Sequence, residues 1–347
     1  MSTVASFAGQ SSDDAYIQVP FNLGFIHGLS ISDLVKQANP GKKIVHNGVS
    51  LAPLSAGAEK LNGVALSGIW SGYSEDANGV QLSGVLNTVG GNANGIQLAG
   101  VANVDNGDAT GIHLAGVANS VSKNANVVQL SGVVNFAGGK AQGLFIAGAL
   151  NFASEDVDAV QISGFANISG KMKGIQIGIF NIAEELDGIP IGLVSYVKSV
   201  GLHQDLWADE TRFVHLGLRS GGQEFYNLLS VGVRVNEPTR WAVGWGIGRH
   251  IATEFFPWEI ELSSYSVFNN GLNKEENRPE SSILKLRLMG IFGLGQSISL
   301  VAGATLNLFL SHRDDGFGLI PWSISSSRTA DGWWIRVWPG FVAGVRF

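Results

Sequence analysis

The chain has 347 residues, of which 47 are glycine and 14% are charged, and it contains no cysteine. The lack of cysteine excludes disulfides, thiolate metal sites and cysteine nucleophiles, and a net charge of −6 gives no support to a nucleic-acid partner. Glycine-rich, charge-poor sequences are typical of all-β proteins with many turns. No apolar run is long enough to predict a transmembrane helix.

The chain begins with a polar leader over residues 1–15, which has small residues before Ala8. This leader is either the remnant of a signal peptide or a disordered segment. Residues 16–46 follow as an N-terminal strand segment, since "YIQVPFNLGFIHGLSI" alternates as a strand does. The pattern leaves open whether this strand begins a repeat domain or closes a barrel against the last strand.

Residues 47–197 form a repeat domain with a unit that reads G-[VI]-Q-[LI]-[SA]-G-[VIF]-x-N and returns about every sixteen residues. Its units begin at Gly63, Gly79, Gly95, Gly111, Val127, Gly143, Ala159, Gly174 and Gly188. Two-fold alternation predicts a strand in each unit, and the second glycine predicts a bend before a shorter strand. A fixed period of this length indicates a repeat architecture.

Two architectures fit such units. In a β-solenoid each unit is one coil, and equal positions stack on each other. In one large antiparallel transmembrane barrel or meander, each unit is one strand and one turn. The matching asparagines, such as Asn103 and Asn119, favour the solenoid, since stacked amides form ladders. Apolar residues on both faces of the second strand, such as Leu86, keep the meander as the alternative.

The alternation also suggests which side chains face inward. We expect Ile–Leu pairs such as Ile96 and Leu98 in the core, and charged connections such as "VDNGDA" as solvated corners. The opposite row would then face outward as a possible interaction stripe, which consists of Gln81, Gln97, His113, Gln129, Gln161 and Gln176. A neutral hydrogen-bonding stripe suits a glycan or protein ligand, and a solvated ladder that keeps the sheet soluble is the alternative interpretation.

Residues 198–347 predict a small antiparallel β-barrel domain of about eight strands, of the outer-membrane type. The strand candidates are 192–200, 212–219, 225–235, 240–251, 257–267, 283–292, 297–310 and 333–347. Alternation is sharp where Leu284, Leu286 and Leu288 oppose Lys285 and Arg287. In a soluble barrel the apolar set points inward, whereas in an outer-membrane barrel it faces lipid and the charges line the interior.

Three features favour the outer-membrane type. The strands are long enough to cross a bilayer, and short connections alternate with long ones. Aromatic residues gather near strand ends, as in an interfacial girdle, at Trp241, Phe255, Phe256, Trp258, Trp333 and Trp334. The final residue, Phe347, looks like the assembly signal of such barrels. Eight strands leave an interior filled by side chains, which predicts no wide pore.

The units "NGVQLSGVLN", "NGIQLAGVAN", "DAVQISGFAN" and "KGIQIGIFN", with the closing "DGIPIGLVSYV", carry a family resemblance. They resemble an uncharacterised bacterial surface-repeat family with G-x-Q-x-x-G-x-x-N units ahead of a β-barrel-like tail. The opening "VPFNLGFIHGLSI" also resembles that family's start. The resemblance covers residues 17–200 well and the tail loosely. It implies a location in the cell envelope or at the cell surface and brings no catalytic residues.

The sequence offers no convincing catalytic, cofactor or metal site. The seven histidines lack metal-ligand spacing, and the glycine clusters lack the features of nucleotide loops. Glu259 and Glu261 are better explained by a charge-balanced barrel interior than by acid–base chemistry. We therefore expect a non-enzymatic protein of the bacterial outer membrane or cell surface, with an adhesive, structural or partner-binding role. Its barrel would meet the membrane. The alternative is an outer-membrane protein that binds or transports a lipid or small molecule.

Overall fold

The computed structural model describes residues 9–10, 15–234, 240–253, 257–269, 281–295, 298–312 and 319–347. It confirms the predicted all-β class, with a solenoid of about ten turns and a closed barrel of eight antiparallel strands. The chain divides into two compact units, Met1–Gly178 and Ile179–Phe347. Of the predicted leader, Gly9–Gln10 form strand β1, and the rest up to residue 14 lies outside the described residues.

The first unit holds most of the solenoid, in which each coil contributes one longer and one shorter strand. The longer strands are β2 (Tyr16–Ile26), β4 (Lys43–Ala52), β6 (Lys60–Ser67), β8 (Ala77–Ser83), β10 (Ala93–Ala99), β12 (Ala109–Ala115), β14 (Ala125–Ser131), β16 (Ala141–Ala147) and β18 (Val157–Ser163). The shorter strands are β5 (Ser55–Ala58), β7 (Trp70–Tyr73), β9 (Leu86–Val89), β11 (Ala102–Asp105), β13 (Ala118–Val121), β15 (Val134–Ala137) and β17 (Leu150–Ala153). Strand β19 (Ala166–Ile177) pairs with both β17 and β18.

Equal positions of the repeat stack in parallel register. Gly95 pairs with Gly79 on one side and Gly111 on the other, and Asn103 pairs with Asn119. This pairing confirms the solenoid and contradicts the antiparallel meander in this part of the chain. The segment 16–46 begins the solenoid, because β2 pairs in parallel with β4.

A short helix closes the first coil. After β3 (Leu29–Ser30), helix α1 (Ile31–Ala38) begins where the Ser30 side chain accepts a hydrogen bond from the Asp33 amide. Val35 of this helix packs with Val19 and Ile44 in a buried cluster. The helix thereby covers apolar side chains of the first coil.

The two glycines of each unit allow the coils to approach closely. Gly95 has a φ of +130°, and a Cβ built on it would lie 2.0 Å from the Gly79 carbonyl oxygen. A Cβ on Gly100 would meet the Gly84 carbonyl oxygen at the same distance. A side chain at Gly95 or Gly100 would therefore require the backbone to shift, and Val127 and Ala159, which replace the first glycine in two units, lack the positive φ of Gly95.

The second unit holds the last coils and the barrel. Strand β20 (Phe180–Ile191) pairs in parallel with β21 (Val194–Val197). The barrel strands are β22 (Leu202–Asp209), β23 (Val214–Gly221), β24 (Phe225–Arg234), β25 (Arg240–Ile251), β26 (Trp258–Asn269), β27 (Ser281–Gly293), β28 (Ser299–Ser311) and β30 (Trp334–Arg346). Strand β22 pairs with β30 and closes the barrel, and β29 (Ser325–Arg328) forms a hairpin with β30.

The prediction of a barrel strand at 192–200 is wrong. That segment contains β21, in which Ser195 lies beside Asn181 of the preceding coil in parallel register. The Asn181 amide donates a hydrogen bond to the Ser195 hydroxyl at 3.1 Å, so this coil still continues the ladder of the repeat. The barrel begins one strand later, at β22 (Leu202–Asp209).

The barrel exposes rows of aliphatic side chains and buries its charged side chains together with two apolar clusters, one around Phe309 and one around Met289. Lys285 and Arg287 are buried, whereas Leu286 between them is exposed. The exposed apolar set has accessible fractions of 36–62% and comprises Leu206, Val214, Leu216, Val231, Val233, Val243, Ile260, Leu262, Leu284, Leu286, Leu288, Leu300, Leu306 and Phe341. The exposed aliphatic rows are the reverse of the orientation expected for the soluble-barrel alternative, in which the apolar face points inward.

Candidate functional site

The glutamine row lies inside the solenoid, so its predicted outward orientation is wrong. All six residues of the stripe, Gln81, Gln97, His113, Gln129, Gln161 and Gln176, are at most 3% exposed. Burying an amide costs little free energy where it forms a hydrogen bond to another amide along the stack. Gln97 Nε2 donates to Gln81 Oε1 at 3.0 Å, and Gln176 Nε2 donates to Gln161 Oε1 at 2.9 Å. The row therefore lies in the coil interior and is shielded from partners, with amide–amide bonds at its two ends and none at Gln129 in its middle.

A second polar ladder in the interior confirms the predicted stacking of asparagines. Asn103 Nδ2 donates to Asn119 Oδ1 at 2.8 Å and to the Leu114 carbonyl oxygen at 2.9 Å. The same pattern joins Asn87, Asn103, Asn119, Asn135, Asn151 and Asn167 in sequence. Each amide thus bonds to the next coil through both its side chain and a main-chain carbonyl, which ties successive coils together.

Asp105 departs from the prediction that the charged connections are solvated corners. It is fully buried, accepts a hydrogen bond from Gln97 Nε2 at 2.8 Å, and lies with Oδ2 3.3 Å from His113 Nδ1. Burial raises the pKa of Asp105 to about 7, although the Gln97 hydrogen bond opposes this rise. Burial lowers the pKa of His113 to about 4.

Two breaks in the repeat were the sequence features that could have predicted this pair. Asp105 stands where neighbouring coils have Val89 and Val121, and His113 stands where they have glutamine. Two departures from the repeat in adjacent coils therefore meet in space. Because the pair is enclosed, it is suited to holding the coils together and not to acting on a substrate.

The outer face of the first unit carries an apolar groove that sequence reasoning also missed. Its volume is about 1040 Å³, and one wall is a row of large aliphatic side chains at Leu23, Leu51, Leu66, Leu82, Leu98, Leu114, Leu130 and Ile146. We call this feature the leucine groove. The sequence placed these leucines in the core because it assigned the glutamines to the surface. The glycine bends at Gly68, Gly100 and Gly116 line its other side.

A ridge of exposed aliphatic side chains follows the same glycine bends. It consists of Ile69, Val85, Val101, Val117 and Val133, which are 40–48% exposed. We call it the valine ridge. The groove and the ridge together make this part of the solenoid surface apolar, while polar side chains fill the interior.

The barrel interior is built around Glu259. Arg219 donates two hydrogen bonds to this carboxylate, from Nη1 to Oε1 at 2.8 Å and from Nη2 to Oε2 at 2.9 Å. Arg346 of the last strand adds two more, at 2.7 and 2.9 Å, and its Nε donates to Asp205 Oδ1 at 2.9 Å. These contacts cross the barrel interior and link β22, β23, β26 and β30.

A second set of ion pairs extends the same interior. Arg287 Nε donates to Glu261 Oε1 at 2.9 Å, and its Nη2 donates to the Tyr265 hydroxyl at 3.0 Å. Lys285 donates to Asp209. The predicted charge-balanced interior is therefore confirmed, and both carboxylates of the Glu259 and Glu261 pair are held by arginines.

The last coil is bonded to the barrel within the second unit. Asn227 Nδ2 donates to the Pro190 carbonyl oxygen at 3.0 Å and to the Ser195 hydroxyl at 2.8 Å. Trp245 Nε1 donates to the Gly192 carbonyl oxygen at 2.7 Å. Side chains of β24 and β25 thus satisfy polar groups of this coil that no further coil would pair.

The aromatic residues of the predicted girdle lie near strand ends where they are described. Trp258 and Trp334 begin β26 and β30, and Trp241 stacks on Phe268 with ring centroids 4.1 Å apart. Phe255 and Phe256 lie outside the described residues. Over the described ranges, no three His, Asp or Glu side chains come together as a potential metal site. In that same part of the chain, no helix is long and apolar enough to cross a membrane.

Comparison with known proteins gave no match: no protein-family model, no curated protein and no solved structure matches the chain.

Proposed function

We propose that the protein is a non-enzymatic component of the bacterial outer membrane, anchored by its barrel and carrying the solenoid as a scaffold for adhesion, envelope structure or partner binding. The observation that carries this proposal is the orientation of the barrel side chains. Leu262 and Leu286, which are paired across β26 and β27, are more than 40% exposed, while the charged side chains next to them in sequence are buried.

A bilayer is the environment that suits such an exterior. Soluble monomers rarely expose contiguous apolar patches beyond a few hundred Å². Here exposed aliphatic side chains occur on every strand of the barrel wall from β22 to β28 and on β30. Strands such as β26 (Trp258–Asn269) and β27 (Ser281–Gly293) also exceed the roughly 9–11 residues that a tilted strand needs to cross the hydrocarbon core.

The ion pairs in the barrel interior favour a role as a membrane anchor over a role as a channel. Arg219 and Arg346 both bond to Glu259 across the lumen, and Arg287 bonds to Glu261. An ion or solute moving through the barrel would have to break these buried pairs, and leaving one partner unpaired costs roughly 3–5 kcal/mol.

The test is flotation of the full chain with liposomes, followed by a urea wash. We expect the wild type to float and to resist the wash. The double variant Leu262→Glu/Leu286→Glu should lose most of this association, because charges on the lipid face of a barrel are destabilising. The matched control Thr110→Glu/Asn126→Glu places the same charges on exposed polar positions of the solenoid and should float as the wild type does. A wild-type chain that stays monodisperse in water without detergent contradicts the proposal.

A further inference from the structure

We propose that the leucine groove of the first unit is a binding site for the hydrocarbon chain of a single lipid molecule. The chemistry of the groove wall, the hydrogen bonds of its backbone and the spacing of its side chains all favour this ligand. It does not depend on the barrel, whose membrane insertion is a separate proposal.

The chemistry of the wall calls for an uncharged, apolar ligand. None of the residues that line the groove carries a charge. The polar side chains among them are Ser67, Ser83 and Ser131, and their hydroxyl oxygens are shielded from solvent. The wall that meets a ligand is therefore hydrocarbon, and it offers neither an ion pair nor a side-chain hydrogen bond to a polar partner.

Backbone amides along the groove already form hydrogen bonds within the solenoid. The amides of Gly84, Gly100 and Gly116 donate to main-chain carbonyls of the preceding coils at 3.2 Å. A peptide recognised as an added strand needs free backbone groups, which parallel coils expose only at the two ends of the solenoid. A hydrocarbon chain needs none.

The spacing of the groove separates a hydrocarbon chain from a polypeptide. From Leu23 to Ile146 the wall has eight side chains, one per coil, and thus seven spacings of about 4.8 Å, or roughly 34 Å. Successive turns of a helix lie about 5.4 Å apart, and residues on the same face of a strand lie about 6.6 Å apart. Neither distance equals the spacing of about 4.8 Å between side chains of the wall, so the side chains of a bound peptide would not stay aligned with them. A hydrocarbon chain has no side chains and fits any spacing.

The groove is long enough to hold the proposed ligand. A bilayer core of about 30 Å is spanned by two lipid chains end to end, so a groove of roughly 34 Å can take one whole chain along its length. Because the wall has no charge, the head group would remain in water outside the groove. Binding should therefore depend on the length of the chain and not on salt or on the charge of the head group.

The experiment uses the full chain in lipid nanodiscs with a photoreactive palmitic acid analogue that carries a diazirine near the chain end. After irradiation, the labelled residues are mapped by mass spectrometry. We expect saturable labelling along the leucine groove, in addition to any labelling of the barrel. Unlabelled fatty acids should compete about two- to four-fold better for each added methylene, up to the length of the groove.

Two variants make the result specific. Leu98→Asp/Leu114→Asp should lower groove labelling roughly tenfold, because it desolvates two carboxylates against the ligand. The control Asn94→Asp/Thr110→Asp puts the same charges on the same two strands at exposed positions outside the groove and should label as the wild type does. Hydrogen exchange of the coils checks that each variant is folded, and Leu98→Ser/Leu114→Ser, with a smaller expected loss, replaces the first variant if it is not.

Several results would overturn the proposal. Labelling confined to the barrel would leave the barrel's membrane proposal intact and refute the groove. Equal labelling of the valine ridge and the groove would indicate contact with a bilayer surface and not a site for one chain. A stable dimer that Leu98→Asp/Leu114→Asp dissociates would assign the groove to a second copy of the chain. Equal labelling of the groove variant and its control would also refute it.

Discussion

At the scale of single residues, the solenoid interior is polar where an alternating strand pattern suggests an apolar core. Asn103 and Gln97 are buried, yet each finds a partner in a neighbouring coil. A stack of identical amides satisfies itself, so a row of polar residues in a repeat does not by itself indicate exposure. The asparagine ladder should therefore contribute strongly to stability.

Asn119→Ala tests this contribution. The Asn119 side chain accepts from Asn103 and donates to Asn135 and to the Leu130 carbonyl oxygen, so its removal leaves buried partners unsatisfied. We expect a loss of about 2–4 kcal/mol in the stability of these coils, measured by hydrogen exchange. Asn126→Ala, at an exposed position of the next coil, should cost under about 0.5 kcal/mol. Equal losses in the two variants would contradict the ladder.

Asp105 and His113 make opposite contributions to the pH dependence of stability. The pKa of Asp105 is raised from 3.8 to about 7, so its contribution is present below pH 4 and is lost as the pH rises to about 7. The pKa of His113 is lowered from 6.5 to about 4, so its contribution is present above pH 6.5 and is lost as the pH falls towards 4. In the wild type the two slopes oppose each other between about pH 4 and 6.5.

Single variants should expose each slope. In His113→Gln, which restores the residue of neighbouring coils, the stability should fall more steeply, or rise less, than in the wild type as the pH rises from about 4 to 6.5. In Asp105→Val the stability should rise more steeply than in the wild type over the same range, because the opposing slope of Asp105 is removed while the slopes of His113 and His46 remain. Thermal melts across this pH range measure both. Profiles with the same slope in the two variants would show that burial does not control these groups.

At the scale of the element, alternation predicts strands well and does not decide which face is inside. The rows that point inward include Ala93, Ala109 and Ala125, and these small residues show that the interior is narrow. In these coils the small residues leave room for the extended amides of the neighbouring row, whereas Leu61 and Met172 take the place of alanine towards the two ends of the row. The recurring alanines were the sequence feature that indicates the inward row. The Ile–Leu pairs are more hydrophobic, and the prediction therefore placed them in the core instead.

The corrected orientation reverses the expected effect of two substitutions. Placing leucine in the core predicts that Leu114→Asp unfolds the coils and that Gln97→Ala is tolerated. The structure places Leu114 on the groove and buries Gln97 at 3% exposure. We therefore expect Gln97→Ala to cost about 1–3 kcal/mol, because it leaves Asp105 and Gln81 without a partner, and Leu114→Asp to cost less than about 1 kcal/mol. Thermal melts showing the reverse order would restore the original assignment.

At the scale of the whole molecule, the period of the sequence is enough to predict a solenoid followed by a barrel. The stacked glycine and asparagine rows require parallel coils, and the long two-fold strands after residue 200 require an antiparallel sheet. The candidate barrel strand at 192–200 was wrong because Val194–Val197 continue the repeat, with Ser195 in the place of asparagine. The side-chain orientation of the barrel needed the structure, since the same alternation serves a soluble and a membrane barrel.

The central claim is that the apolar exterior of the barrel faces lipid. Because the chain has no cysteine, single cysteines at Leu284, Leu286 and Leu288 can carry nitroxide labels in protein reconstituted into liposomes, with Asn126→Cys as the aqueous control. We predict that the three strand labels are accessible to oxygen and shielded from a water-soluble nickel chelate, while the control label is exposed to the chelate. Strand labels as accessible to the chelate as the control label would contradict the account.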